Sequence, residues 1–90
     1  MKLWRFIDTR ARSPITSGIV AAPDQPTTAL LLGSLIGDDL MPALSLLRER
    51  KDRLGFGVIV QYAGEASVGD PCVISATRRG DGRVLQYVRL

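Results

Sequence analysis

The sequence predicts a small two-layer α+β domain in the order β-β-α(α)-β-β-β. An antiparallel or mixed sheet of about five strands should carry one broken helix or two helices on one face. Three observations lead there. Residues 27–54, TTALLLGSLIGDDLMPALSLLRERKDRL, are the only stretch with sustained helical spacing. The segments on either side alternate with period two or are dense in β-branched and aromatic residues. Two of those segments flank Arg78-Arg79-Gly80-Asp81-Gly82, which has the composition of a hairpin turn.

Taken in order, residues 3–7 (LWRFI) read as a strand with Trp4 and Phe6 on its core face and Leu3, Arg5 and Ile7 on the other. Residues 8–14 (DTRARSP) have loop chemistry, with Arg10 and Arg12 expected in solvent. Residues 15–22 (ITSGIVAA) resume a strand, where Gly18 marks a bulge or a close backbone approach. Pro23, Asp24, Gln25 and Pro26 then interrupt the chain, and Thr27 or Thr28 is the expected helix cap.

The first half of the helical stretch is apolar nearly all round, through Ala29, Leu30, Leu31, Leu32, Leu35 and Ile36, so it needs cover on more than one side. Gly33 and Gly37 weaken it, and the reading is helix, break at Gly37, helix. In the second half, Leu40, Leu44, Leu47, Lys51 and Leu54 fall at steps of four and three on one stripe, with Asp39 as cap and Gly55 as the residue past the end. Pro42 would fall in the first turn of that helix, so one kinked helix is an alternative to two.

Residues 56–62 (FGVIVQY) alternate so that Phe56, Val58, Val60 and Tyr62 should meet the helix. After a turn-rich segment, residues 72–77 and 84–90 form a hairpin in one of two registers. One pairs Arg78 with Arg83, Ala76 with Leu85 and Ile74 with Tyr87; the other pairs Arg79 with Val84 and Ala76 with Tyr87. The first sorts polar from apolar residues better, at the cost of like charges facing each other. Val58, Val60, Ile74, Leu85, Leu44 and Leu47 are the expected core.

Ninety residues make one small domain, and 46% hydrophobic composition is high for a globule with so little interior. The net charge of +3 comes almost wholly from arginine, since Lys2 and Lys51 are the only lysines; that balance is typical of a GC-rich, bacterial gene. Residues 1–10 hold too few apolar residues for a secretory signal, and no stretch is long enough to span a membrane, so a cytoplasmic setting is expected. The lone Cys72 permits no internal disulfide and no thiolate zinc site within one chain. The absence of histidine removes the usual general base and imidazole ligand. Asp38-Asp39 reads as helix capping rather than a catalytic pair. No cofactor or metal is therefore expected, and the residues point away from an enzyme.

Three functions of different classes follow. The leading expectation is a non-enzymatic interaction module that self-associates as a homodimer and binds another protein, with Leu31, Leu35 and Ile36 of the first helix in the interface. The alternative is a small-ligand binding domain with a pocket between helix and sheet near Trp4, Tyr62 and Tyr87. The third is nucleic-acid or anion contact through Arg78, Arg79 and Arg83, although a solvated turn is the simpler account of that cluster.

Overall fold

A computed structural model of the chain describes residues 1–37, 53–55 and 57–88. Asp38, Asp39, Leu40, Pro42, Leu44, Leu47 and Phe56 lie outside them, and with them the expected second helix and part of the expected core.

The fold is α+β. Strands β1 (Lys2–Asp8), β2 (Ile15–Ala21), β3 (Arg53–Gly55), β4 (Val58–Glu65), β5 (Cys72–Arg78) and β6 (Val84–Gln86) form one sheet in the order β3-β4-β1-β2-β5-β6. All of its neighbouring strands run antiparallel. Helix α1 (Gln25–Ile36) follows β2 and packs on one face.

Two sequence expectations for α1 shift. It begins two residues before Thr27, and its cap is Asp24, whose Oδ1 accepts from the Thr27 amide at 2.9 Å. A carboxylate there both accepts the free amide and opposes the positive end of the dipole, while Pro26 in the first turn has no amide to leave unpaired. Thr28, instead of capping, is buried and donates its hydroxyl to the Asp24 carbonyl at 2.9 Å. The break at Gly37 is present as expected: this residue closes α1 at φ 75° and donates to the Gly33 carbonyl.

The other end of the expected helical stretch is also corrected. Leu54 and Gly55 belong to β3, which pairs with β4 through Arg53 with Ile59 and Gly55 with Val58. Gly57, at φ 88°, supplies the left-handed conformation that this tight reversal requires.

Register sorts the sheet into two faces. Toward α1 lie Trp4, Phe6 and Asp8, with Val20 and Gly18 opposite them on β2 and Tyr62, Val60 and Val58 opposite them on β4. Phe6, Val20, Val58, Val60 and Ala76 meet Ala29 and Leu32 of α1 in the core, and Trp4, Leu31, Leu35, Ile36 and Val73 pack around it. Ile74 is buried and Leu85 half-buried. Gly18 is required by closeness: a Cβ there would lie 2.3 Å from the Ser75 carbonyl oxygen and 2.7 Å from the Phe6 ring. Tyr62 shares the face yet is 56% exposed; it lies beside the β1–β4 bulge and rests edge-on against Trp4.

The β5–β6 hairpin adopts the register that sorts polarity better, with Ala76 opposite Leu85 and Thr77 opposite Val84. Its like-charge cost is relieved within the turn: Asp81 accepts from the Arg78 guanidinium and, at 3.0 Å, from the Arg83 amide.

Candidate functional site

The residues nominated from sequence fall into three places. Leu31, Leu35 and Ile36 are half-buried against the core, so the leucine that α1 presents most openly is Leu30, at 58% exposure. Trp4 and Tyr62 come together, with ring centroids 6.0 Å apart, while Tyr87 follows β6 at the opposite edge of the sheet, across β2 and β5 from Trp4. The Trp4 indole donates to the Ala22 carbonyl at 3.0 Å, and the Tyr62 hydroxyl to Glu65 at 2.9 Å, which raises the phenol's pKa.

Arg78, Arg79 and Arg83 lie at one end of the sheet; the first is paired within its own turn and the second ties that turn to another loop. Arg78 pairs with Asp81, whose carboxyl titrates at about 2, chiefly because of the Arg78 hydrogen bond. Arg79 reaches across to the β1–β2 loop: its Nε donates to the Ser13 carbonyl at 2.7 Å, its Nη2 to the Asp8 carbonyl at 3.1 Å, and its amide to Pro14 at 2.9 Å. Arg83 is exposed.

That loop is more ordered than its polar composition suggests, which corrects the expectation of a solvated Arg10. Asp8 ends β1 at 3% exposure, and Arg10 grips it through Nε at 2.9 Å and Nη2 at 2.8 Å, with its amide adding a third bond at 3.1 Å. Burial alone would raise the Asp8 carboxyl. Hydrogen bonds from Arg10 and Ser13, then the Arg10 charge, outweigh burial and hold the carboxyl below its ordinary value. On the other side of the loop, the Thr9 amide and hydroxyl both donate to the Gly57 carbonyl, at 3.0 and 2.7 Å. The β1–β2 loop thus fastens the β3–β4 turn to the β5–β6 turn. The one sequence signal for it is an aspartate two residues before an arginine at a strand end.

Most of the charges among the described residues fall at one end of the sheet or the other, with Arg5 midway along β1. Arg10, Arg12, Arg78, Arg79 and Arg83 share the loop end with Asp8 and Asp81, while Lys2, Asp24, Glu65 and Asp70 lie at the opposite end. Arg10 and Arg78 are matched by carboxylates; Arg79 is bonded to backbone carbonyls. A concavity of about 360 Å³ at this end is lined by Arg10, Ala11, Arg12, Ser13, Pro14 and Ile36. It adjoins the C-terminal end of α1, where the helix dipole favours cations over anions, which works against a small-anion site.

The feature not nominated from sequence is the sheet face opposite α1. Two rows of side chains cross it, placed there by the register. Ile59, Ile7, Ser17, Thr77 and Val84 form one, and Gln61, Arg5, Ile19, Ser75 and Gln86 the other. No described element packs on it, and Ile7 and Val84 are 43% and 62% exposed. Among the described residues no three potential ligand side chains cluster for a metal, and no helix is long and apolar enough to cross a membrane. No family model, curated protein or solved structure matches the chain.

Proposed function

We propose that this chain is a non-enzymatic interaction module that self-associates as a homodimer. The observation supporting this is the sheet face opposite α1, which sets Ile7, Ile19, Ile59 and Val84 on a surface that no described element covers. Antiparallel sheets often leave one face to water, but such faces alternate cleanly to polar residues. Three isoleucines and a valine depart from that pattern. Sedimentation equilibrium at micromolar concentration tests the proposal: the expected mass is twice that of the chain, and a monomer at every concentration overturns it.

A second reading has its own support. Arg12, Arg79 and Arg83 bring charge to one end of the sheet without a carboxylate bound to them among the described residues. This favours contact with a polyanion along an exposed rim. Guanidinium contacts to phosphate release counterions, so such binding must weaken steeply with salt. The test is titration of a labelled oligonucleotide at two salt concentrations, with Arg12→Ala and Arg83→Ala expected to weaken binding and reduce its salt dependence. Those two positions leave the bonds made by Arg10 and Arg79 in place.

A further inference from the structure

We propose that Arg79 is a positioning residue: by tying the β5–β6 turn to the β1–β2 loop it holds Arg12 and Arg83 at a fixed separation, and that pair takes the phosphate backbone of duplex nucleic acid. The proposal rests on the polyanion reading above; it names the partner and the residue that preorganises the contact.

Arg12 and Arg83 each extend from a turn closed by hydrogen bonds. Arg12 is a central residue of the turn from Arg10 to Ser13, in which the Ser13 amide donates to the Arg10 carbonyl at 3.3 Å. Arg83 donates its amide to the Asp81 carboxylate at 3.0 Å, and its carbonyl accepts from the Arg78 amide at 2.8 Å. Both arginines are exposed. Neither turn by itself sets the distance between them, because they belong to loops far apart in the chain.

Arg79 supplies the link. Its amide donates to the Pro14 carbonyl at 2.9 Å, its Nε to Ser13 at 2.7 Å and its Nη2 to Asp8 at 3.1 Å, so three bonds enter the loop that carries Arg12. A planar guanidinium holds two carbonyls in a rigid fork, whereas an ammonium on a flexible stem is a single point. Engaging two charges with one stiff ligand costs less when their spacing is already fixed.

The composition of the two turns selects the partner. Residues 9–14 (TRARSP) and 79–83 (RGDGR) contain no aromatic and no large apolar side chain. Single strands are held by stacking bases on aromatic rings, and membrane surfaces by burying apolar side chains beside the basic ones. A duplex needs neither, since it offers one phosphate charge per about 1.7 Å of axis, and contacts to phosphate position a protein without reading bases. The carboxylate of Asp81, which lies between the arginines in sequence, is paired with Arg78.

The test is fluorescence anisotropy of a short labelled duplex at about 50 and about 200 mM salt. Two phosphate contacts give a log–log slope of about −2, so the Kd is expected to rise about tenfold between those conditions. Arg12→Ala and Arg83→Ala should each weaken binding and reduce the slope by about one. Arg79→Lys keeps the charge, yet is expected to raise the Kd about threefold to tenfold with the slope unchanged. Circular dichroism checks that each variant folds. Backbone order parameters of the Arg12 and Arg83 amides test the preorganisation in the unsubstituted chain: values of about 0.85, as in rigid strands, are expected, and values below about 0.6 overturn it. No duplex binding at the lower salt overturns the polyanion reading together with this inference. Binding that Arg12→Ala and Arg83→Ala weaken but Arg79→Lys leaves unchanged overturns this inference alone. Tighter binding to a single strand of the same length, or to phosphatidylglycerol vesicles, overturns the choice of a duplex.

Discussion

The two faces of the sheet are made by the same strands, and neighbouring residues on one strand meet opposite fates: Phe6 is 1% exposed and Ile7 43%. The face under α1 is closed by large side chains meeting a helix, with Gly18 kept bare so that the Phe6 ring can lie across β2. The opposite face is built from isoleucines beside hydroxyls and has no described element on it. Hydrophobic composition therefore does not tell which apolar residues stabilise the monomer. Position on the covered face does, and substitutions can break that contrast or sharpen it.

The largest expected effect is at Phe6. Phe6→Ala removes an aromatic ring from the centre of the core and should cost about 3–5 kcal/mol in urea denaturation. A loss below 1 kcal/mol would show that the covered face is not the stabilising one. Next is Gly18→Ala, expected to cost about 1–3 kcal/mol, because the added methyl must push against a backbone carbonyl as well as a ring that cannot leave. A neutral result would mean that the β2–β5 spacing relaxes freely.

Asp8 supplies a pH-dependent effect at the rim of the covered face. Its carboxyl titrates below the unfolded value of about 3.9, so its contribution is fully present above that pH and is lost as pH falls through the lower, folded value. The urea midpoint should hold steady from neutral pH to about pH 4 and then decline. Asp8→Asn should flatten part of that decline, leaving the part due to Asp24 and Asp81, whose carboxyls are also lowered. A wild-type-like decline in the variant would mean that Asp8 is not linked to folding. The smallest effect is at Ile7: Ile7→Ser, measured at concentrations where the chain is monomeric, should change stability by less than about 1 kcal/mol. A core-sized loss would mean that the second face is covered in the monomer.

Much of this architecture is legible in the sequence. Aromatic and β-branched composition placed β1 and β2, period-two alternation placed β4, the turn residues at 78–82 placed the strands beside them, and polar sorting chose the β5–β6 register. Asp81 explains how that register tolerates Arg78 opposite Arg83, a local solution that pairwise charge rules miss. Other parts were hidden for physical reasons. Adjacent threonines drew the helix cap away from Asp24, which caps from three residues before the amide it binds. A leucine stripe at helical spacing extended the helix through Leu54, although the glycine at position 57 allows a tight reversal there. Strand order depends on contacts that alternation does not encode. It explains why Trp4 and Tyr62 meet while Tyr87 is left at the far edge, and why Arg79 is held in a loop that no local pattern connects to it.

That strand order also has a kinetic consequence. The first hairpin, β1 with β2, occupies the middle of the sheet, flanked by β4 and β5 from the second half of the chain. During synthesis this hairpin leaves the ribosome with both of its edges unpaired, and it stays so until residues 58–78 follow. Long-range pairings of this kind slow folding, because loop-closure entropy must be overcome before the contacts form. Unpaired edges are templates for wrong partners meanwhile. The bond from Arg79 to the Asp8 carbonyl, 71 positions apart, requires both halves to be present. It forms only once the end of β5 has joined the first hairpin, and until then the edge of β2 is open to wrong partners.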